Sequence, residues 1–153
     1  MEIKLLTPGK TKSPWLQEGI SHFEQRLKPF CRLEWDLVKP SRQQNPELAQ
    51  QEESQSLAAR MKPGYVWVVF DERGDELSSQ EFARFLQTRQ DRGETPLGLV
   101  LGGAHGLTPE IRAQAAWLLR LSRMTLTHEM ARLLLLEQVY RGFSILKKTG
   151  YHH

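Results

Sequence analysis

The chain has 153 residues, 39% of them hydrophobic and 25% charged, so it is long enough to bury a core without disulfides or a structural metal. Its single cysteine, Cys31, excludes an internal disulfide, and no apolar run approaches the roughly 18 residues of a membrane span, so we expect a cytoplasmic protein without membrane contact. Residues 1–45 hold eight Lys and Arg against five Asp and Glu, and residues 128–153 hold four against two. These basic chain ends suit a polyanion, although ordinary solvated surfaces show the same balance.

The N-terminal half predicts alternating strands and helices. In chain order we expect a strand over 2–7, a helix over 13–27, a strand over 31–38, a polar loop over 40–48, a helix over about 46–62 and a strand over 65–70. Ser13 and Pro14 are typical of a helix start, and "YVWVVF" is typical of a strand buried on both faces. The apolar face of the first helix is predicted to contain Trp15, Leu16, Ile20, Phe23 and Leu27.

The same alternation continues to the C-terminus. We expect a loop over 71–79, a helix over 78–90, a strand over 96–103, a helix that opens at Thr108-Pro109-Glu110, a fifth strand over 119–127 and a long helix over 128–148. Strands that alternate five times with helices predict a largely parallel sheet with helices on both faces. With no linker or repeat, residues 1–153 are predicted to form a single domain.

Three loops are predicted to meet at one edge of this sheet, because each follows the carboxyl end of a strand and the strands are expected to be parallel. Ligands bind at this edge in open parallel sheets. The three loops are Phe70–Gly74, Gly102–Gly106 and Ser122–His128. The glycine loop, residues 102–106, lets a ligand or another part of the protein approach the backbone closely. Its spacing is neither a dinucleotide fingerprint nor a P-loop, so by itself it indicates little.

Four stretches occur in a characteristic order and spacing: "FDERG", "LGGAHGL", "LSRMTLTHEMARLLLLEQVYR" and the terminal "YHH". Together with the chain length and the opening "IKLLTPGK", they closely resemble the RlmH family, small methyltransferases of the SPOUT superfamily. The resemblance covers essentially the whole chain. It implies methylation of N3 of a pseudouridine in helix 69 of 23S rRNA, on assembled ribosomes, with S-adenosylmethionine as the methyl donor and no metal.

The resemblance further implies a SPOUT-type α/β fold with five to six mostly parallel strands and a C-terminal trefoil knot. It also implies a homodimer in which the partner completes each active site. Matched by position, the cofactor-binding residues are Phe70, Gly102, Gly103, Ser122, Arg123, Met124, Thr125, Leu126 and Thr127.

Methylation at N3 requires loss of the N3 proton, for which a base or an anion-stabilising cation is needed. His128 and Arg132 are four residues apart and share one helix face, which places both at the mouth of the pocket in the functional interpretation. The alternative is a helix cap or a local hydrogen-bond partner for His128 and a surface ion pair for Arg132. Tyr151 and His152 are predicted to stack on and contact the target base, whereas a terminal tripeptide without the resemblance predicts a disordered end.

Other interpretations stay open at this point. A non-catalytic RNA- or ribosome-binding module would use the basic ends and an empty glycine loop, and another α/β enzyme would bind a different nucleotide cofactor. The last helix is apolar nearly all round, which fits a dimer interface or a thick core equally well. Arg141 is expected either to be buried for structure or to contact a partner, and the four tryptophans are expected in the core or an interface.

Overall fold

Five strands alternate with five helices in the computed structural model, which describes residues 1–153. The strands are β1 (Glu2–Pro8), β2 (Arg32–Val38), β3 (Val66–Glu76), β4 (Leu97–Leu101) and β5 (Trp117–Arg120). The helices are α1 (Pro14–Leu27), α2 (Pro46–Arg60), α3 (Ser79–Asp91), α4 (Pro109–Ala113) and α5 (His128–Lys147). None of these helices combines the length and the apolar character needed to span a membrane.

All strand pairs are parallel, in the order β2-β1-β4-β3-β5. The predicted α/β class and the parallel sheet are therefore confirmed, with five strands. The edge position of β2 agrees with its alternation of exposed and shielded residues. The trefoil knot stays a prediction.

Helices cover both faces of the sheet, as predicted. On one face, the buried side chains of α1, α3 and α5 pack on β1, β3 and β4, with Ile20, Leu86 and Leu135 as examples from the three helices. On the other face, Leu57 of α2 and Ile111 of α4 pack on the same strands. The sheet is thus the middle of three layers, which explains why β4 is buried at every position.

Helix α5 is shielded along its length, from His128 to Leu146, by α1, α3 and the sheet. This burial accounts for its apolar character within a single chain. Cys31 is also buried, and burial raises the pKa of its thiol to about 11, which fits a role as a small apolar side chain.

The structure differs from the prediction in the boundaries of three strands and in the burial of one tryptophan. Residues 71–76, predicted as loop, continue β3, because a register shift after Phe70 and the missing side chain of Gly74 let β3 lie directly against the backbone of Leu119. Strand β5 spans 117–120 and not 119–127, because the chain leaves the sheet edge after Arg120. Strand β4 ends two residues earlier than predicted. Trp15 is 63% exposed and not part of the core.

Candidate functional site

A cavity of about 650 Å³ lies at the carboxyl edge of the sheet. Because β4, β3 and β5 are neighbours and parallel, the three segments predicted at their carboxyl ends lie side by side, although residues 70–74 belong to β3 and are not a loop. The wall consists of residues 70–73, 101–107, 120–122 and 124–128, together with Gln50 and Ala131. Of the nine residues matched to cofactor contacts, all but Arg123 line this cavity.

Asp71 supplies a carboxylate to the wall of the cavity and is held in place by positive groups. Its side chain is 5% exposed, and its Oδ1 accepts a hydrogen bond from the backbone N–H of Arg73 at 3.0 Å. The guanidinium groups of Arg73 and Arg112 lie 3.3 and 3.6 Å from the carboxylate oxygens. The charge of Asp71 is therefore largely compensated within the protein.

The glycine loop is bare because other parts of the protein press against it. A Cβ at Gly102 would lie 3.0 Å from the Leu107 side chain, and a Cβ at Gly103 would lie 2.6 Å from Oε1 of Glu53. Gly106 has a φ of +74°, which side chains disfavour, and its N–H donates to the carbonyl of Gly103 at 3.1 Å. The loop therefore meets the cavity with backbone atoms, while its absent side chains make room for protein atoms.

The α5 entry loop, residues 122–127, offers unpaired backbone groups to the cavity. Ser122, Thr125 and Leu126 make no backbone hydrogen bond, whereas Met124 N–H donates to the Ser122 hydroxyl at 2.9 Å. Polar backbone atoms with no partner in the chain can donate to and accept from the edge of a planar heterocycle. The loop ends at Thr127, whose hydroxyl accepts from the N–H of Met130 and caps α5.

His128 is the first residue of α5 and lines the cavity, so the structure puts it where the sequence expected. Burial and the nearby positive charge of Arg132 lower the pKa of its imidazole below the ordinary 6.5. The neutral form therefore predominates at pH 7, and a neutral imidazole can accept a proton.

Arg132 does not lie at the mouth of the cavity, so the position expected for it is wrong. It is 1% exposed, and its guanidinium donates to the carbonyls of Pro8 at 2.5 Å and Gly9 at 3.0 Å and to the Thr11 hydroxyl at 3.2 Å. No carboxylate lies within 4 Å, so the alternative of a surface ion pair is also wrong. Its side chain fixes the start of α5 to the end of β1.

The tail, Tyr151–His153, packs on the C-terminal half of α5. The Tyr151 ring meets the Tyr140 ring edge-on with 4.8 Å between centroids, and its hydroxyl donates to Glu137 at 3.1 Å. The Arg141 guanidinium stacks on Tyr151 at 4.7 Å and lies 3.3 Å from Nδ1 of His152. The ordered packing differs from a disordered end, and it gives Arg141 a role in holding the tail.

The four residues proposed as catalytic are therefore not brought together within one chain. His128 lies at the first turn of α5, whereas Tyr151 packs about three turns further along the same helix. No residue of the tail lines the cavity.

Sequence reasoning missed two residues of α2. Gln50 lines the cavity, and its side-chain amide donates to the carbonyl of His105 at 2.9 Å. Glu53 is buried behind Gly103. The stretch "QQEESQS" around them is polar throughout, and such a pattern indicates an exposed helix face, so only the packed structure identifies them.

Comparison with known proteins agrees with this geometry. The family described as "Predicted SPOUT methyltransferase" matches residues 1–152. A protein named ribosomal RNA large subunit methyltransferase H from Trichlorobacter lovleyi is 37% identical over the full length of both chains. The protein of the same name from Citrifermentans bemidjiense is 39% identical over all of this chain and 99% of its own.

A solved structure of a probable methylase family protein from Haemophilus influenzae shares the fold. Its TM-score is 0.56 at 14% identity, with 99% of this chain and 70% of that chain covered.

We expect the Arg132→Met variant to lower the free energy of unfolding by about 3 kcal/mol, because two buried carbonyls and a hydroxyl lose their donor. Urea denaturation followed by circular dichroism measures the change. Arg123→Met removes an exposed guanidinium from the α5 entry loop and serves as the control. An equal, small change in both variants would show that Arg132 does not anchor α5.

Proposed function

The chain belongs to the SPOUT methyltransferase family, with full-length relatives named ribosomal RNA large subunit methyltransferase H, and we propose that it methylates N3 of a pseudouridine in helix 69 of 23S rRNA. The proposed methyl donor is S-adenosylmethionine, and the proposed substrate is the assembled ribosome in the cytoplasm. The observation that carries the proposal is the cavity at the carboxyl edge, which is lined by the glycine loop and the α5 entry loop.

The residues of the cavity fit a nucleoside cofactor. The unpaired N–H and C=O groups of the α5 entry loop suit the edge of an adenine ring, and Phe70 with Leu126 supplies apolar surface. The glycine loop adds backbone to the wall, and it can lie there because Gly102 and Gly103 leave room for Leu107 and Glu53 behind it. Phe70, Gly102, Gly103 and residues 122–127 are thus proposed to hold the cofactor, with Arg123 as the member of that run outside the cavity wall.

When bound, S-adenosylmethionine supplies an electrophilic methyl group on a sulfonium sulfur. The residues of the protein orient the acceptor nitrogen in line with that methyl group and remove the proton from the nitrogen. His128 is the proposed base, because its imidazole is neutral at pH 7 and lines the cavity. Arg132 acts indirectly, since it fixes the turn of α5 that carries His128.

We further propose that the active unit is a homodimer in which the tail of one protomer serves the cavity of the other. This arrangement would unite His128 with Tyr151 and His152, which a single chain separates by about three turns of α5. Two exposed apolar side chains support an interface near the start of α5. Trp15 is 63% exposed two residues after Ser13, which contacts Glu129, and Met124 in the α5 entry loop is 79% exposed.

The function is tested by calorimetric titration with S-adenosylmethionine, S-adenosylhomocysteine and NAD, followed by methylation of ribosomes that lack the modification. We expect both sulfur compounds to bind and NAD not to bind, and mass spectrometry to locate the new methyl group on a helix 69 pseudouridine. Binding of neither sulfur compound would favour a non-catalytic RNA-binding module.

The rate of methylation is expected to fall at acidic pH, because a protonated His128 can no longer accept a proton. Because the pKa is lowered, the loss begins on the acid side of the ordinary histidine value. His128→Gln should lower kcat by roughly 10²- to 10⁴-fold and abolish this acidic limb. The check is kcat/KM against pH for both proteins; an acidic limb that persists in His128→Gln would assign the base elsewhere.

Deletion of residues 151–153 is expected to leave the affinity for S-adenosylmethionine nearly unchanged, because none of them lines the cavity. Methylation should fall at least about tenfold, roughly 1.4 kcal/mol in the barrier. Tyr151→Ala should lower the rate of methylation more than His153→Ala does, since stacking on a base is worth roughly 1–3 kcal/mol. A normal rate in the truncated protein would mean that the tail only packs on α5.

Mixing His128→Gln with the truncated protein tests whether the tail acts in trans. A mixed dimer would contain one cavity with both an intact His128 and an intact partner tail, so activity should reappear on mixing. Each variant mixed with itself is the control. Activity that does not rise above that of the separate variants would place the tail in its own chain's site.

A further inference from the structure

Glu53 of α2 is a buried acid that the proposed mechanism does not use. The residue is 7% exposed, and unlike the buried side chain of Asp71 it has no guanidinium beside it. Burial of a carboxylate is costly unless its charge is compensated, so its position calls for a physical reason.

The two oxygens of Glu53 have different surroundings. Oε2 accepts a hydrogen bond from the backbone N–H of Ser41 at 3.0 Å. Oε1 is buried and has no hydrogen-bond partner. No Lys, Arg or His nitrogen lies within 4 Å of either oxygen, so the charge is not neutralised by an ion pair.

The unpartnered oxygen points at the glycine loop. A Cβ on Gly103 would lie 2.6 Å from Oε1, and Gly103 itself lines the cavity. A single layer of backbone therefore separates the carboxylate from the cavity. Any side chain at position 103 would push the two apart.

Other charges at the cavity are largely balanced by neighbours of opposite sign. Asp71 faces Arg73 and Arg112, and Arg120 pairs with Glu76 at 3.0 Å. Glu53 is thus the uncompensated negative charge behind the cavity wall. Because little water screens it, its field reaches further into the cavity than that of an exposed carboxylate.

We propose that Glu53 makes the cavity select a cationic ligand, so that the sulfonium cofactor binds more tightly relative to its neutral thioether product. This inference rests on the proposed function and adds a determinant of ligand specificity to it. Methyl transfer removes the positive charge from sulfur, because the electron pair of the broken S–CH₃ bond stays there. The attraction to Glu53 therefore ends with the reaction, which favours exchange of product for fresh cofactor.

The test compares Glu53→Gln with the wild-type protein. The substitution keeps the size of the side chain and removes the charge. Dissociation constants for S-adenosylmethionine and S-adenosylhomocysteine are measured by calorimetry on the full chain. We expect the preference for the sulfonium, expressed as the ratio of the two constants, to fall about tenfold, with little change for the thioether. Sinefungin carries an amine in place of the methylsulfonium. Its binding to Glu53→Gln should be weaker than to the wild-type protein, as for S-adenosylmethionine.

Glu52→Gln is the matched control, because it removes the same charge from an exposed position on the same helix. Its ratio should equal that of the wild type. If Glu53→Gln does not fold by circular dichroism, Glu53→Asp and Glu53→Asn replace it, and the charged variant should keep a larger ratio than the neutral one.

An unchanged ratio, or an equal weakening of both ligands, would overturn the inference and leave Glu53 as a tie between α2 and Ser41. Wild-type protein that binds neither sulfur compound would overturn the proposed function itself. The two failures are therefore distinguished by the wild-type titration.

Discussion

The geometry of the site depends on the hydrogen bonds that the buried guanidinium of Arg132 donates to the carbonyls of Pro8 and Gly9. The guanidinium brings a positive charge into the core without a carboxylate, and the carbonyls of Pro8 and Gly9 replace the water that the charge has lost. These hydrogen bonds join the first turns of α5 to the end of β1. His128 and the α5 entry loop take their positions from this junction, since the loop must connect the edge strand β5 with the start of α5.

The cavity itself follows from the order of the strands. Because β4, β3 and β5 are adjacent, two loops and the outer part of β3, all far apart in the chain, share one edge of the sheet. Helix α2 closes the site from behind through Gln50 and Glu53, and the glycine loop is thin enough for the Glu53 carboxylate to lie against it. Glycine at position 103 thus serves the packing of the protein as well as the shape of the cavity.

The two ends of helix α5 carry different polar groups. Its N-terminal end carries a neutral imidazole at the cavity, where burial and a buried arginine disfavour protonation. Its C-terminal half carries the cluster of Glu137, Arg141 and Tyr151, in which the guanidinium groups of Arg26 and Arg141 lie 5.3 and 4.7 Å from the centre of the Tyr151 ring. Burial of α5 by α1, α3 and the sheet explains its apolar sequence within one chain.

The sequence by itself determined the parallel α/β architecture and the three segments that meet at one edge, because hydrophobic periodicity and helix-start residues are local signals. The resemblance to the RlmH family added His128 and the residues matched to cofactor contacts, all of which line the cavity except Arg123. Only the tertiary structure decided that Arg132 is a buried anchor, that β3 runs on to Glu76 and that Glu53 lies behind Gly103. These features depend on contacts between residues distant in the chain, and a polar side chain looks the same in sequence whether it meets water or a buried carbonyl.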